Sequence, residues 1–439
     1  MEQTYQEAPA KWSLWQKTAF RFFCIYFLLN IEPWTWIGYK VPGAHYLTDW
    51  YFTAFNWVRE KLNTLLFHFP ATDIVNNGSG DTSVNWETIF SFLIIAAAGT
   101  LIWSLADRKR ANYTKANYWL RTIIRYQLII TCFIYGWIKL FALQMVFPSQ
   151  SQLATPLGDL LPMRFSWLFI GYSTPYQMFS GIMELVAGLL LLNRKTVTLG
   201  VLTATAVFIN VMVLNLCYDI PVKIYSMHLV LYCMYLLCND GKRLIDFFVF
   251  NQSTATNQLY HIHFPKKWMR ITRIVAKTLF VILFAIEPLY STYQRYQSFH
   301  HPNPVPGSLQ GGMYDVMVYA VNRDTIPLLP NDSIRWRNVI FENAGFGSVG
   351  TTDTAFRQRY RRGYFNLAID TATHNLSFSK SGNTGPQVFA AFRYETPDSS
   401  TIKLWGYKQK DSLYIVLKKS NRHFQLAEKQ FHWISEANR

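Results

Sequence analysis

The sequence predicts an α-helical integral membrane bundle of about seven transmembrane helices, followed by a C-terminal antiparallel all-β domain, a sandwich or small barrel. Three observations carry this prediction. Half of the 439 residues are apolar and 17% are aromatic, while only 15% are charged, against about a quarter in soluble domains. The apolar residues gather in runs near the roughly 20 residues that span a bilayer. Beyond residue 312 the hydrophobic period changes from helical to two.

The first apolar run goes from Thr18 through Ile31 towards Trp36 and carries Arg21. No A-x-A-type site follows it, so it reads as an anchor rather than a cleaved signal. Six further runs follow, at Ile89–Ala106, Ile123–Phe147, Pro175–Leu192, Val197–Cys217, Ile224–Leu237 and Ile274–Ile286. Cations cluster in alternate connections: Arg108, Lys109, Arg110, Lys115 and Arg121, then Arg194 and Lys195, then Lys266, Lys267, Arg270 and Arg273. The connections at 33–87, 147–174 and 218–221 are weakly charged or acidic. This bias predicts a cytoplasmic amino terminus, with everything after Tyr290 outside. It also assigns the net charge of +16 to membrane loops rather than to nucleic acid, for which no binding motif is present. The segment 52–69 is amphipathic and aromatic, with Arg59, Glu60 and Lys61 on a polar face. It lies flat on the outer interface or caps the bundle.

Four stretches follow: N-terminal helices with the amphipathic segment (1–122), a helical core (123–246), a cytoplasmic loop with the last span (247–299), and a non-cytoplasmic β domain (300–439). His300 to Gly312 is rich in Pro and Gly and reads as a linker. Alternation then marks strands at 315–321, 364–369, 376–379, 388–394, 402–407 and 413–418. Thr396-Pro397-Asp398 and Gln409-Lys410-Asp411 read as turns between them. The five cysteines, Cys24, Cys132, Cys217, Cys233 and Cys238, all precede the β domain and form no CxxC. No metal site is expected: His261 and His263 alternate beside Lys266 with no further ligand near. Arg357, Arg359, Arg361 and Arg362 read as an exposed charged strand or turn, with contact to anionic lipid or glycan as the alternative.

Ionisable residues at bilayer depth are functional candidates by default. The helix rise places Lys139 about 13 Å from the outer surface, counted from Pro148, and Glu184 at about the same depth, counted from Pro175. Asn210 and His228 fall at roughly 12 Å and 10 Å. Four polar groups from four successive helices thus share one layer. Asn215, Asp219 and Lys223 continue it outward, and Tyr135 lies one turn below Lys139 on the same face. Lys139 and Glu184 are expected to pair, because an unpaired charge there costs several kcal/mol. Gly181 and Gly188 flank Glu184 at a spacing that permits close helix packing. The layer reads either as a ligand or proton site reached from outside, or as an interhelical polar clamp.

From Tyr135 to about Asp240 the chain resembles the DoxX-like family of small membrane proteins. The carrying residues are Tyr135 to Leu140 (YGWIKL), Phe179 to Leu191 (FSGIMELVAGLLL), Thr196 to Gly200, Asn210, and Asn215 to Lys223. The resemblance implies a four-helix core, here extended at both ends, and an association with quinol oxidase chemistry. At the level of architecture the chain also resembles the membrane half of vitamin K-dependent carboxylase-like proteins. The expectation is therefore a multi-pass protein of a bacterial inner membrane with a periplasmic β domain. Its core would bind a small apolar or redox partner, such as a quinone, in the outer-facing layer. Membrane lipid and a redox or periplasmic protein are the expected partners. The alternatives are a non-enzymatic scaffold, or an enzyme of the carboxylase-like type with Lys139 as base.

Overall fold

Ser13 opens the first helix: its hydroxyl accepts from the Gln16 amide, and the Gln16 side chain accepts from the Ser13 amide. This capping box satisfies two donors that a helix start leaves orphaned. Thr82 and Asn85 repeat the device at the start of the first long apolar helix. The computed structural model describes residues 11–36, 38, 40–69, 78–254, 264–300, 309–329, 332–342, 345–382, 385–428, 432–434 and 436. His261 and His263 lie outside the described residues.

In chain order the helices are α1 (Leu14–Ile31), α2 (Asp49–Leu62), α3 (Ser83–Ala106), α4 (Thr114–Leu140), α5 (Gln150–Leu153), α6 (Pro162–Tyr172), α7 (Thr174–Leu192), α8 (Val197–Cys217), α9 (Lys223–Cys238), α10 (Gly241–Phe248), α11 (Lys267–Val281) and α12 (Glu287–His300). A π-turn over Ile282–Ile286 joins the last two. The strands are β1 (Gly312–Val321), β2 (Asp324–Thr325), β3 (Asn338–Phe341), β4 (Phe346–Val349), β5 (Gly363–Asp370), β6 (Asn375–Gly382), β7 (Gly385–Asp398), β8 (Thr401–Lys408) and β9 (Asp411–Lys419), with α13 (Gln425–Glu428) after them. The chain divides into two units. One is Met1–Leu143 with Gln177–Gln294, and the other is Gln144–Tyr176 with Arg295–Arg439.

In the first unit α3, α4, α7 and α8 are long and apolar enough to cross a membrane. Length and composition therefore qualify four of the seven expected spans. The other three runs are helical too, but α1 has 18 residues and carries Arg21, and α9 has only 16. The run expected at 274–286 falls in α11 and its π-turn, and α11 also bears Lys267, Arg270, Arg273 and Lys277. Arg21 is buried yet satisfied: it donates to the Tyr113 hydroxyl at 2.8 Å, to Ser104 Oγ at 2.8 Å and to the Asp107 carbonyl at 2.9 Å. Buried charge is tolerable only with such partners. The core below it is built from Phe20, Phe27, Leu128, Ile129, Leu191, Phe208 and Tyr232. Helix α2 packs Phe55 on Phe92 of α3 and places Arg59 3.4 Å from Glu87. Arg59, expected on the polar face, is thus paired, while Trp50, Trp57, Leu65 and Leu66 stay exposed.

In the second unit, β1 and β3 to β9 pair each with the next, and β9 pairs back to β1, giving an antiparallel eight-stranded barrel. Of the two expected forms the barrel is the one present. The two-residue β2 adds a short hairpin to β1. Closure removes the edges that a sheet would otherwise expose. Eight strands leave an interior that side chains just fill. Tyr314, Tyr319, Val339, Phe365, Phe378, Phe392, Leu404, Ile415 and Leu417 fill it here. Gly406 lets β8 cross β7 closely, since a Cβ there would meet the Ala391 carbonyl oxygen at 1.9 Å.

The connection 147–174 is not bare loop. It holds α5 and α6 and belongs to the barrel unit. The Ser151 amide and hydroxyl donate to Glu342 Oε1 at 2.9 and 2.7 Å. Ser348 Oγ donates to Ser151 Oγ at 2.8 Å, and Thr155 Oγ1 to the Tyr360 carbonyl at 2.9 Å. Ala154 packs on Met313 and Ile340. Arg362, expected in an exposed turn, is buried beside these groups. It donates to Ser348 Oγ at 2.7 Å and to Asn338 Oδ1 at 2.6 Å. Burial pushes its guanidinium pKa down to about 10. Arg357 instead reaches Asp159 at 3.8 Å.

Candidate functional site

Helices α4 and α7 cross at glycine. A Cβ added to Gly181 would lie 2.7 Å from the Gly136 carbonyl oxygen and 2.7 Å from the Leu140 amide nitrogen. One added to Gly188 would lie 3.1 Å from Cys132 Cβ. Cys132, Gly136 and Lys139 sit at helical spacing on one face of α4, as do Gly181, Glu184 and Gly188 on α7. The close crossing brings the long Lys139 side chain onto Glu184, and Lys139 Nζ donates to Glu184 Oε1. Both groups are buried, at 6% and 1% exposure. The second carboxylate oxygen, Glu184 Oε2, is buried and has no hydrogen-bond partner among the described residues.

Aromatic and hydroxyl groups surround the pair. Lys139 Nζ lies 5.6 Å from the centre of the Tyr135 ring, a cation–π distance. Tyr135 meets Tyr225 of α9 at 6.3 Å between ring centres. The Tyr225 hydroxyl shares a 2.9 Å hydrogen bond with Thr131 Oγ1. Sequence reasoning missed Tyr225 and Thr131. Their only signal was an aromatic hydroxyl in the first turn of one helix and a threonine amid an apolar run of another.

The remaining candidates separate from this centre. His228 is buried, with Nδ1 2.7 Å from the Ile224 carbonyl and Nε2 2.6 Å from the Tyr26 hydroxyl. A carbonyl only accepts, so Nδ1 carries the proton and Nε2 accepts from Tyr26. His228 thus ties α9 to α1. Among the described residues no hydrogen bond or ion pair joins it to Lys139 or Glu184. Asn210 does not join this centre: it is exposed on α8. It lies two residues beyond buried Phe208, about 200° around the helix. The depth estimate fixed its height but not its direction.

Asn215, Asp219 and Lys223 form the α8–α9 turn. Asn215 is buried, with Nδ2 3.5 Å from the Val222 carbonyl. Lys223 Nζ pairs with Asp219 at 2.7 Å and lies 3.7 Å from Asp81. Asp81 accepts from the Lys223 and Ile224 amides at 2.8 and 3.0 Å, so a residue distant in sequence caps the amino end of α9. A carboxylate there satisfies orphan donors and meets the positive end of the helix dipole. These three candidates are therefore placed in a stapled turn, with structural partners.

Chemically, the centre offers a buried ammonium–carboxylate pair with one open acceptor, lined by phenols. All five cysteines are free, with Cys24, Cys132 and Cys233 buried. Among the described residues no group of three His, Cys, Asp or Glu side chains comes together to hold a metal.

No family model matches the chain, and no solved structure matches it. The sequence is similar to an uncharacterized protein, YwoB, of Bacillus subtilis (strain 168), with 35% identity over 83 residues. That match covers 19% of this chain and 54% of the relative, so the chain spans about half the length of the curated relative it matches.

Proposed function

We propose that the chain is a DoxX-like multi-pass protein of a bacterial inner membrane, its amino terminus cytoplasmic and its barrel periplasmic. Its helical core binds a small apolar redox partner, a quinone or quinol, at Lys139 and Glu184. One observation carries this reading: Glu184 Oε2 is a buried acceptor without a donor among the described residues. An unmet buried polar group costs about 1–3 kcal/mol. A ligand hydroxyl in an apolar setting would remove that cost. Lys139 and the phenols of Tyr135 and Tyr225 would supply further donors around it.

The test is direct. Purified protein is extracted with organic solvent and scanned for quinone absorbance. It is then titrated with a short-chain quinol, followed by tryptophan fluorescence. Saturable binding that Glu184→Gln weakens at least tenfold supports the proposal. No bound quinone and no saturable binding overturn it.

The glycine crossing favours a second reading, in which the ion pair is an interhelical clamp and the barrel recruits a periplasmic protein. Under that reading Lys139→Met with Glu184→Met changes thermal stability alone. The carboxylase-like alternative needs Lys139 free as a base, whereas that lysine is engaged with Glu184.

A further inference from the structure

The barrel unit holds a cavity of about 700 Å³ between Pro148–Tyr176 and the stretch Arg422–Leu426 after β9. That volume lies within the roughly 300–1,000 Å³ of small-ligand pockets. Its walls are chiefly apolar, with Leu153, Leu160 and Leu168 on one side and Phe424 on the other. Several lining side chains are open to the exterior: Leu157 is 70% exposed and Leu426 is 49% exposed. Contiguous exposed apolar surface of this kind marks a binding site or a membrane contact.

Two features identify the occupant. The first is connectivity. Ser173 alone separates α6 from α7, a helix apolar enough to cross a membrane. Where α7 crosses a membrane, α6 ends one residue before that span. Its Phe165, Phe169 and Tyr172, at helical spacing, line the cavity and stay partly exposed, an aromatic face of the kind that sits in a membrane interface. The cavity lined by α6 is thus tethered, in sequence, directly beside a candidate membrane span. The second is charge. Residues 295–439 carry 18 Lys and Arg against 11 Asp and Glu. Arg422 lines the cavity, with its guanidinium 5.2 Å from the centre of the Phe424 ring. A cation stationed at an apolar groove matches a phosphate at the head of an acyl chain.

We propose that this groove holds one acyl chain of an anionic phospholipid, with Arg422 receiving its phosphate. The barrel is then docked on the lipid of its own leaflet. The site is independent of Lys139 and Glu184.

The experiment uses the full chain in nanodiscs of phosphatidylcholine with a minority of phosphatidylglycerol, transferred to detergent and read by native mass spectrometry. One phosphatidylglycerol per chain should remain on the wild type. The double change Leu157→Asp with Leu426→Asp should release it; both positions are exposed, so the barrel melt should be kept. Arg422→Gln should retain a lipid but lower the preference for phosphatidylglycerol over phosphatidylcholine about fivefold, the contribution of one basic residue at an anionic surface. Equal lipid retention by wild type and the aspartate variant would mean an adventitious annulus and overturns the proposal. A lipid-free dimer that the aspartate change dissociates would make a second copy the occupant, and overturns it equally.

Discussion

Replacing Gly181 with alanine should open the crossing of α4 and α7. The new methyl would lie 2.7 Å from two backbone atoms, the Gly136 carbonyl oxygen and the Leu140 amide nitrogen, and 2.9 Å from Lys139 Cβ. Ordinary contact begins near 3.4 Å, so the helices must part by about 0.7 Å. Backbone atoms inside two helices cannot rotate away as a side-chain tip can. Overpacking of this kind costs about 1–3 kcal/mol. The same displacement lengthens the ion pair of Lys139 and Glu184, whose burial makes separation expensive. Gly188→Ala is the graded control, because its methyl would be crowded by Cys132 Cβ at 3.1 Å and would touch the Phe133 ring at an ordinary 3.7 Å. Gly158→Ala is the neutral control, with nothing within 4 Å among the described residues. Melting in detergent, followed by circular dichroism, should fall by several degrees for Gly181→Ala, less for Gly188→Ala, and not for Gly158→Ala. If Gly181→Ala melts with the wild type, the close crossing is not what holds the centre together.

Three further outcomes follow from other parts of the molecule. In a double-mutant cycle, Lys139→Met and Glu184→Met should each destabilise the bundle by about 3–5 kcal/mol, while the pair together costs clearly less than the sum; additive losses would deny the coupling. A barrel expressed from Gly311 alone lacks Ser151, Thr155 and Ala154, so it should melt below the same barrel fused to residues 144–176; equal melts would show that the segment adds nothing. At low pH the barrel's hairpins should loosen. Thr373 bonding holds the Asp370 carboxyl below its ordinary 3.8, and Ser400 bonding does the same for Asp398. A depressed folded pKa gives stability that is present above 3.8 and lost as pH falls through the folded value. Asp370→Asn with Asp398→Asn should flatten that part of the melting curve, and an unchanged acid slope would contradict the assignment.

The sequence made some of this architecture readable and hid the rest for physical reasons. Strands β1 and β5 to β9 were legible because each contains an alternating stretch, four residues long in β6 and six or seven in the others. Strands β3 and β4 were not: each has four residues, and Gly347 interrupts the pattern of the second. Closure of β9 on β1 joins segments about a hundred residues apart, which no local period reveals. The Thr396-Pro397-Asp398 turn was read slightly early, since β7 runs on to Asp398 before Thr401 starts β8. At the centre, Lys139 and Glu184 were legible because proline marks the nearby boundary of each apolar run and fixes the depth. Asn210 was misjudged because depth carries no rotation. The burial of Gly200, Ala204 and Phe208 would have supplied it. His228 is buried but turns to Tyr26, a partner 202 residues earlier, and Asp81 reaches the start of α9 across 142 residues. Helix α6 was overlooked because its eleven residues sit in a connection judged only by charge.

The most direct test of the central claim is the affinity of a short-chain quinol for the wild type and for Glu184→Gln, measured at a temperature where both remain folded. If the open oxygen of Glu184 receives a ligand hydroxyl, the amide variant should bind at least tenfold more weakly, while retaining most of the wild-type melting temperature. Equal affinity in the two proteins, or no saturable binding in either, would contradict the account and leave the pair of Lys139 and Glu184 as a clamp between helices.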